Sequence, residues 1–119
     1  MSDNNQYTEH RASERSTVQD RIGVTDINSG EEIGHLANIS LGGFMLITNR
    51  QLPLNSLFQL RLDLPSTIDG VDSIDLGAES LWSHAATDAE TVWTGFHIID
   101  IADRHTLVIG KLIDSWTSE

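Results

Sequence analysis

The stretch Leu57-Phe58-Gln59-Leu60-Arg61-Leu62-Asp63-Leu64-Pro65 decides the fold. Leu60, Leu62 and Leu64 recur at every second residue, with Arg61 and Asp63 between them. A period of two puts the leucines on one face of a strand and the charges on the other. Pro65 has no N–H to give to a ladder and predicts the end of that strand. Downstream, Ile74–Trp82 repeats the pattern, with Ile74, Leu76 and Ala78 alternating with Asp75, Gly77 and Glu79. Ser66–Asp72 between them reads as a polar loop. Thr91–Ile99 reads as one further strand, after a loop at Ala85–Glu90.

Upstream the same reasoning gives three more strands. Ile22 and Val24 are spaced for a strand, and Asn28-Ser29-Gly30 is the turn that folds it back. Glu32–Ile39 follows, with Ile33, Leu36 and Ile39 apolar. Leu41-Gly42-Gly43 interrupts the chain before Phe44–Thr48, and Asn49–Asn55, with Pro53, connects to the stretch quoted above. After residue 100 the period changes. Leu107, Val108, Ile109, Leu112, Ile113 and Trp116 recur at three- and four-residue intervals, the mark of an amphipathic helix. Asp100 or Asp103 is suited to cap it. Short strands at regular spacing, then one helix, predict a mainly β fold: a six-stranded antiparallel β-barrel with a C-terminal α-helix. Residues 1–9 read as a disordered polar tail. Residues 10–119 form one domain, with a polar arginine segment at 10–16, the barrel at about 18–99 and the helix at about 101–116.

Composition narrows the function. The chain has 119 residues, no cysteine and a formal net charge of −11. Thiolate metal sites and disulfides are excluded. A broad basic surface for nucleic acid or anionic membrane is excluded as well. No apolar run is long enough to span a membrane, and the polar N-terminus does not read as a signal peptide, which points to the cytoplasm. The histidines His10, His35, His84, His97 and His105 form no HxxxH or HExxH pattern, so no metal site is expected. No nucleophile or Walker motif is present, and the chain reads as a binding module, not an enzyme.

Two groups of residues carry chemistry. Arg11-Ala12-Ser13-Glu14-Arg15 brings two arginines close together in an acidic chain. A guanidinium offers a planar fork that matches phosphate oxygens or the O6/N7 edge of guanine, and a flat face that stacks on a purine. The alternative is a solvated turn neutralised by Glu9, Glu14 and Asp20. Asn38-Ile39-Ser40-Leu41-Gly42-Gly43 places Asn38 and Ser40 two apart, on one face of a strand, with Ile39 toward the core. Gly42 and Gly43 permit positive φ or close approach to the backbone. The alternative is an ordinary strand end whose polar side chains bond their own turn. Trp82 is placed either to stack on a base or to fill the core. Trp93 and Trp116 read as packing residues.

In this order and spacing, R-A-S-E-R at Arg11–Arg15 and N-I-S-L-G-G at Asn38–Gly43 resemble the RxxxR and [D/N]xSxxG motifs of the PilZ domain family, receptors for cyclic di-GMP. W-T-G-F-H-I-I-D is similar to the family's late G-x-x-F strand. The resemblance runs from residue 10 to 116. It implies that Arg11 and Arg15 hold the phosphates and guanines of the ligand. It implies that Asn38 and Ser40 bond a guanine edge, and that Gly43 lets that edge approach. His10 stands where some members carry another arginine, a position that influences how the ligand is held, and leaves open whether one ligand or an intercalated pair binds. The expected function is binding of cyclic di-GMP, with occupancy relayed to an effector protein and no other cofactor. A ligand-independent PilZ-like scaffold for protein–protein contact is the alternative. A barrel for single-stranded nucleic acid is disfavoured by charge and by sparse aromatics.

Overall fold

The computed structural model describes residues 16–17, 20–85 and 91–117. Within them the chain forms β1 (Ser16–Thr17), β2 (Gly23–Asp26), β3 (Glu31–Ile39), β4 (Gly43–Thr48), β5 (Leu57–Ile68), β6 (Val71–Ala85), β7 (Val92–Ile101) and α1 (Asp103–Thr117). The tail at 1–9, and His10, Arg11 and Arg15 of the arginine segment, lie outside the described residues.

Antiparallel pairing runs β3–β2–β5–β6–β7–β4, and β4 pairs back onto β3. That ring is the expected six-stranded barrel. The two-residue β1 lies on the edge of β3 that β2 also uses, since Ser16 pairs with Ile39 while Gly23 pairs with His35. Between them, the Leu36 N–H donates to the Ile22 carbonyl at 2.9 Å. β1 and β2 therefore follow one another along a single edge.

The alternating residues fill the barrel as their period requires. Leu60, Leu62, Ile74, Leu76 and Ala78 are buried, with Ile22, Val24, Ile39, Phe44, Leu46 and Phe96. Phe96 stacks on Phe44 at 5.1 Å and meets Phe58 edge-on at 5.7 Å. The helix lays Val108, Ile109, Leu112 and Trp116 onto this core. Leu107, expected on the apolar stripe, is exposed, because the buried stripe is centred on Val108, Ile109 and Leu112. The Trp116 indole N–H donates to Asp20 at 3.4 Å, and Lys111 pairs with Asp69 at 2.5 Å.

The structure corrects the sequence reading in two places, the β5–β6 hairpin and the helix start. Pro65 does not end its strand. β5 continues to Ile68, and its register with β6 shifts between Asp63 and Ile68. Pro65 falls inside that irregularity, where no regular ladder bond is asked of its nitrogen. The segment expected as a loop is instead the tip of a hairpin. Asp69 and Gly70 have φ of 52° and 80°. Positive φ at both central residues is the backbone of a type I′ turn, whose twist matches the flanking strands. The second correction concerns the helix start. The N–H groups of His105 and Thr106 donate to the Ala102 carbonyl. Ala102 is thus the capping residue, and Asp103 contributes its charge in the first turn, where it favours the helix dipole.

Candidate functional site

The site is built where β3 hands over to β4. β3 ends at Ile39, and a tight loop of Ser40, Leu41 and Gly42 returns the chain into Gly43. Ser40 closes that loop. Its N–H donates to the Gly43 carbonyl at 2.8 Å. Its hydroxyl donates to the same carbonyl at 3.3 Å and accepts the Gly42 N–H at 3.4 Å. Ser40 is 5 % exposed. Its side chain is therefore engaged by the loop it closes, while Asn38, two residues earlier, is half-buried.

Gly43 has a structural cause of its own. A Cβ there would stand 2.5 Å from the Phe96 carbonyl oxygen on β7. Gly43 is opposite His97, and the Ile98 N–H donates to the Gly42 carbonyl at 2.9 Å. The strands approach too closely for a side chain. Neither Gly42 nor Gly43 has positive φ, so close approach is the reason for Gly43.

Register places the remaining candidates. Thr17 pairs with Asn38, Asn38 with Met45, Met45 with Gly95, and Gly95 with Trp82. These residues form one row across four neighbouring strands and β1. Their chain neighbours Ile39, Phe44 and Phe96 point into the core, so the row lies on the outer surface. Trp82 reaches that surface through a bulge between Ser80 and Trp82. Ser80 is fully buried, whereas Trp82 is 43 % exposed and its indole covers Gly95. Of the two readings of Trp82, the core is thus set aside. Trp93 is half-buried on the same surface, between Ile47 and His84, and Trp116 is packed as expected.

Charge at this surface is sparse. Among the described residues, Arg21 pairs with Glu32, Arg50 with Glu31, Arg61 with Asp75 and Lys111 with Asp69. The hydrogen bond and charge of Asp75 hold the Arg61 guanidinium above its ordinary value. These four basic groups are each committed to an acidic partner. A groove of about 270 Å³, lined in part by Arg21, Glu32, His35, Ile47 and Thr91, lies one row further along the sheet. Among the described residues there is no cluster of metal-ligating side chains, and no helix is long and apolar enough to cross a membrane.

The row escaped the sequence reading in part. Met45 and His97 lie beside Asn38 and Gly43 only through cross-strand register. The bulge that turns Trp82 outward has no local sequence mark.

Comparison with known proteins follows this geometry. The PilZ domain family model matches residues 9–114. The PilZ domain of YcgR from Escherichia coli, solved with c-di-GMP, superposes with a TM-score of 0.64 at 14 % identity, covering 91 % of this chain and 92 % of that one. YcgR from the same organism in complex with c-di-GMP gives a TM-score of 0.64 at 15 % identity, covering 85 % of this chain and 43 % of that one. The Bacillus subtilis inhibitor of motility (MotI/DgrA) gives 0.63 at 17 % identity, covering 85 % and 46 %. The chain thus spans a little under half the length of these two longer proteins. No curated protein sequence matches.

Proposed function

Because the chain belongs to the PilZ domain family, we propose that it is a receptor for cyclic di-GMP that signals its occupancy to an effector protein in the cytoplasm. It acts by binding and carries out no turnover. One observation carries this reading: the residue that follows Arg15, Ser16, is paired with Ile39, and Thr17 with Asn38. The chain directly after the arginine motif runs along the strand edge that carries Asn38. Arg11 and Arg15, which precede Ser16 in the chain, supply the cationic groups for the ligand's phosphates.

The reading divides the labour among these residues. Arg11 and Arg15 bind phosphate and guanine through their planar forks. Asn38 offers its amide to a guanine edge. Ser40 acts by closing the loop, and Gly43 by leaving the adjoining surface bare of a side chain. Trp82 provides a flat apolar face on which a base stacks. His10, next to Arg11 in the chain, is a further candidate ligand contact. The ligand-complexed YcgR domain, alike in fold, supports this choice of ligand.

The second reading, a scaffold that works without ligand, draws on one observation: the fold itself accounts for both Ser40 and Gly43. Titration calorimetry separates the two. Wild-type protein is expected to bind cyclic di-GMP with micromolar or tighter affinity, and Arg11→Ala or Arg15→Ala to abolish it. Absence of binding by wild type would leave the scaffold.

A further inference from the structure

Beside the Asn38–Gly43 loop stands a side chain that neither motif contains. His97 is the register partner of Gly43, and the backbone bond from Ile98 to Gly42 ties its strand to the loop. Phe96 before it is buried, so His97 points outward, where it is exposed. Gly43 puts no side chain on this surface. The imidazole therefore stands beside bare backbone. Its other neighbours on the same face are Met45, two residues along β4, and the Trp82 indole lying over Gly95, two residues along β7.

Among the described residues, His97 makes no hydrogen bond and no ion pair, unlike His105, whose Nδ1 accepts the Asp75 N–H. The ionisable group facing it is Glu79, its partner on β6. The outward positions next to it on β4 and β7 are Gly43, Met45, Gly95 and Ile99, and beyond Glu79 on β5 stands Leu57, none of them ionisable.

Resting on the receptor reading above, we propose that His97 is a further ligand-contacting residue. Its imidazole donates a hydrogen bond to an acceptor of the bound dinucleotide, a phosphate oxygen or the guanine O6/N7 edge. In its protonated form it also adds a positive charge to the site. Binding is then favoured at lower pH, where that form gains weight.

The test is calorimetric titration of the whole chain with cyclic di-GMP at about pH 6 and about pH 8. Wild type is expected to bind about tenfold tighter at the lower pH, the size of one charge-assisted hydrogen bond. His97→Gln should lose that gain and bind about tenfold more weakly at the lower pH. It should melt as wild type does, since the side chain is exposed. His97→Lys, a permanent cation, should retain tight binding at both pH values. Equal affinity of wild type and His97→Gln at both pH values would overturn the role of His97 and leave the receptor reading standing. Absence of wild-type binding at either pH would overturn both.

Discussion

The indole of Trp82 lies across the face of Gly95 on the neighbouring strand, in the space that a Cβ at position 95 would fill. A bulge on β6 and a missing side chain on β7 together fix a flat aromatic surface on the outside of the barrel. Gly95→Ala is expected to displace the ring and to cost about 1–3 kcal/mol, the range for forced overpacking. Trp82→Ala should cost less stability, because the ring is nearly half exposed. It should nonetheless weaken cyclic di-GMP binding by about 1–3 kcal/mol, the range for one base–aromatic stack. Thermal melts and calorimetry on both variants check this. Unchanged affinity in Trp82→Ala would remove the stacking role.

Gly43 separates a structural cause from a ligand cause. A Cβ there meets the Phe96 carbonyl at 2.5 Å, and backbone does not yield cheaply. Gly43→Ala is expected to lower stability by about 1–3 kcal/mol in the ligand-free protein. If denaturant unfolding finds wild-type stability in this variant, the close-approach account of Gly43 is wrong.

Thr94 is fully buried, and among the described residues its hydroxyl has no hydrogen-bond partner. It sits between Leu46 and Ser83 in the sheet register. Thr94→Val keeps the shape and removes a desolvated polar group. A gain of about 1 kcal/mol is expected, read as a higher Tm. A loss would mean that the hydroxyl has a partner of its own.

Ser80 is buried for the opposite reason. Its hydroxyl donates to the Pro53 carbonyl at 2.7 Å and accepts the Ser56 N–H at 3.2 Å, pinning the β4–β5 connection onto β6. Ser80→Ala removes both bonds from the part-buried connection and is expected to cost about 1 kcal/mol. A neutral effect in denaturant unfolding would show the connection to be held by other means.

Much of the fold was legible because burial imposes a period. Leu60 and Leu62, or Ile74 and Leu76, must face inward together, and that sets strand, face and neighbour. Legibility failed where geometry broke the period. Pro65 looked like a terminator because its missing N–H is costly in a regular ladder, yet a register shift removes that demand. Asp69-Gly70 carried the signature of a type I′ turn, but the polar residues around it read equally as a loop. Trp82 stayed undecided between core and surface because one inserted residue, Leu81, turns it outward. The site divides in the same way. Asn38, Ser40 and Gly43 are neighbours in the chain and could be read as a group. Thr17, Met45, Trp82 and His97 join them only through pairing between strands far apart in sequence.

The central claim is that the ligand sits on the outer row that runs from β1 through Asn38 and Met45 to Trp82, beside Gly43 and His97. Mapping of backbone amide chemical shifts on adding cyclic di-GMP tests it most directly. The expected result is that the largest changes fall on Thr17, Asn38 through Gly43, Met45, Gly95, His97 and the Trp82 indole, with the helix face at Leu107 and Lys111 unmoved. Binding with its largest shifts on the helix, or on the Arg61–Asp75 side of the barrel, would contradict the account.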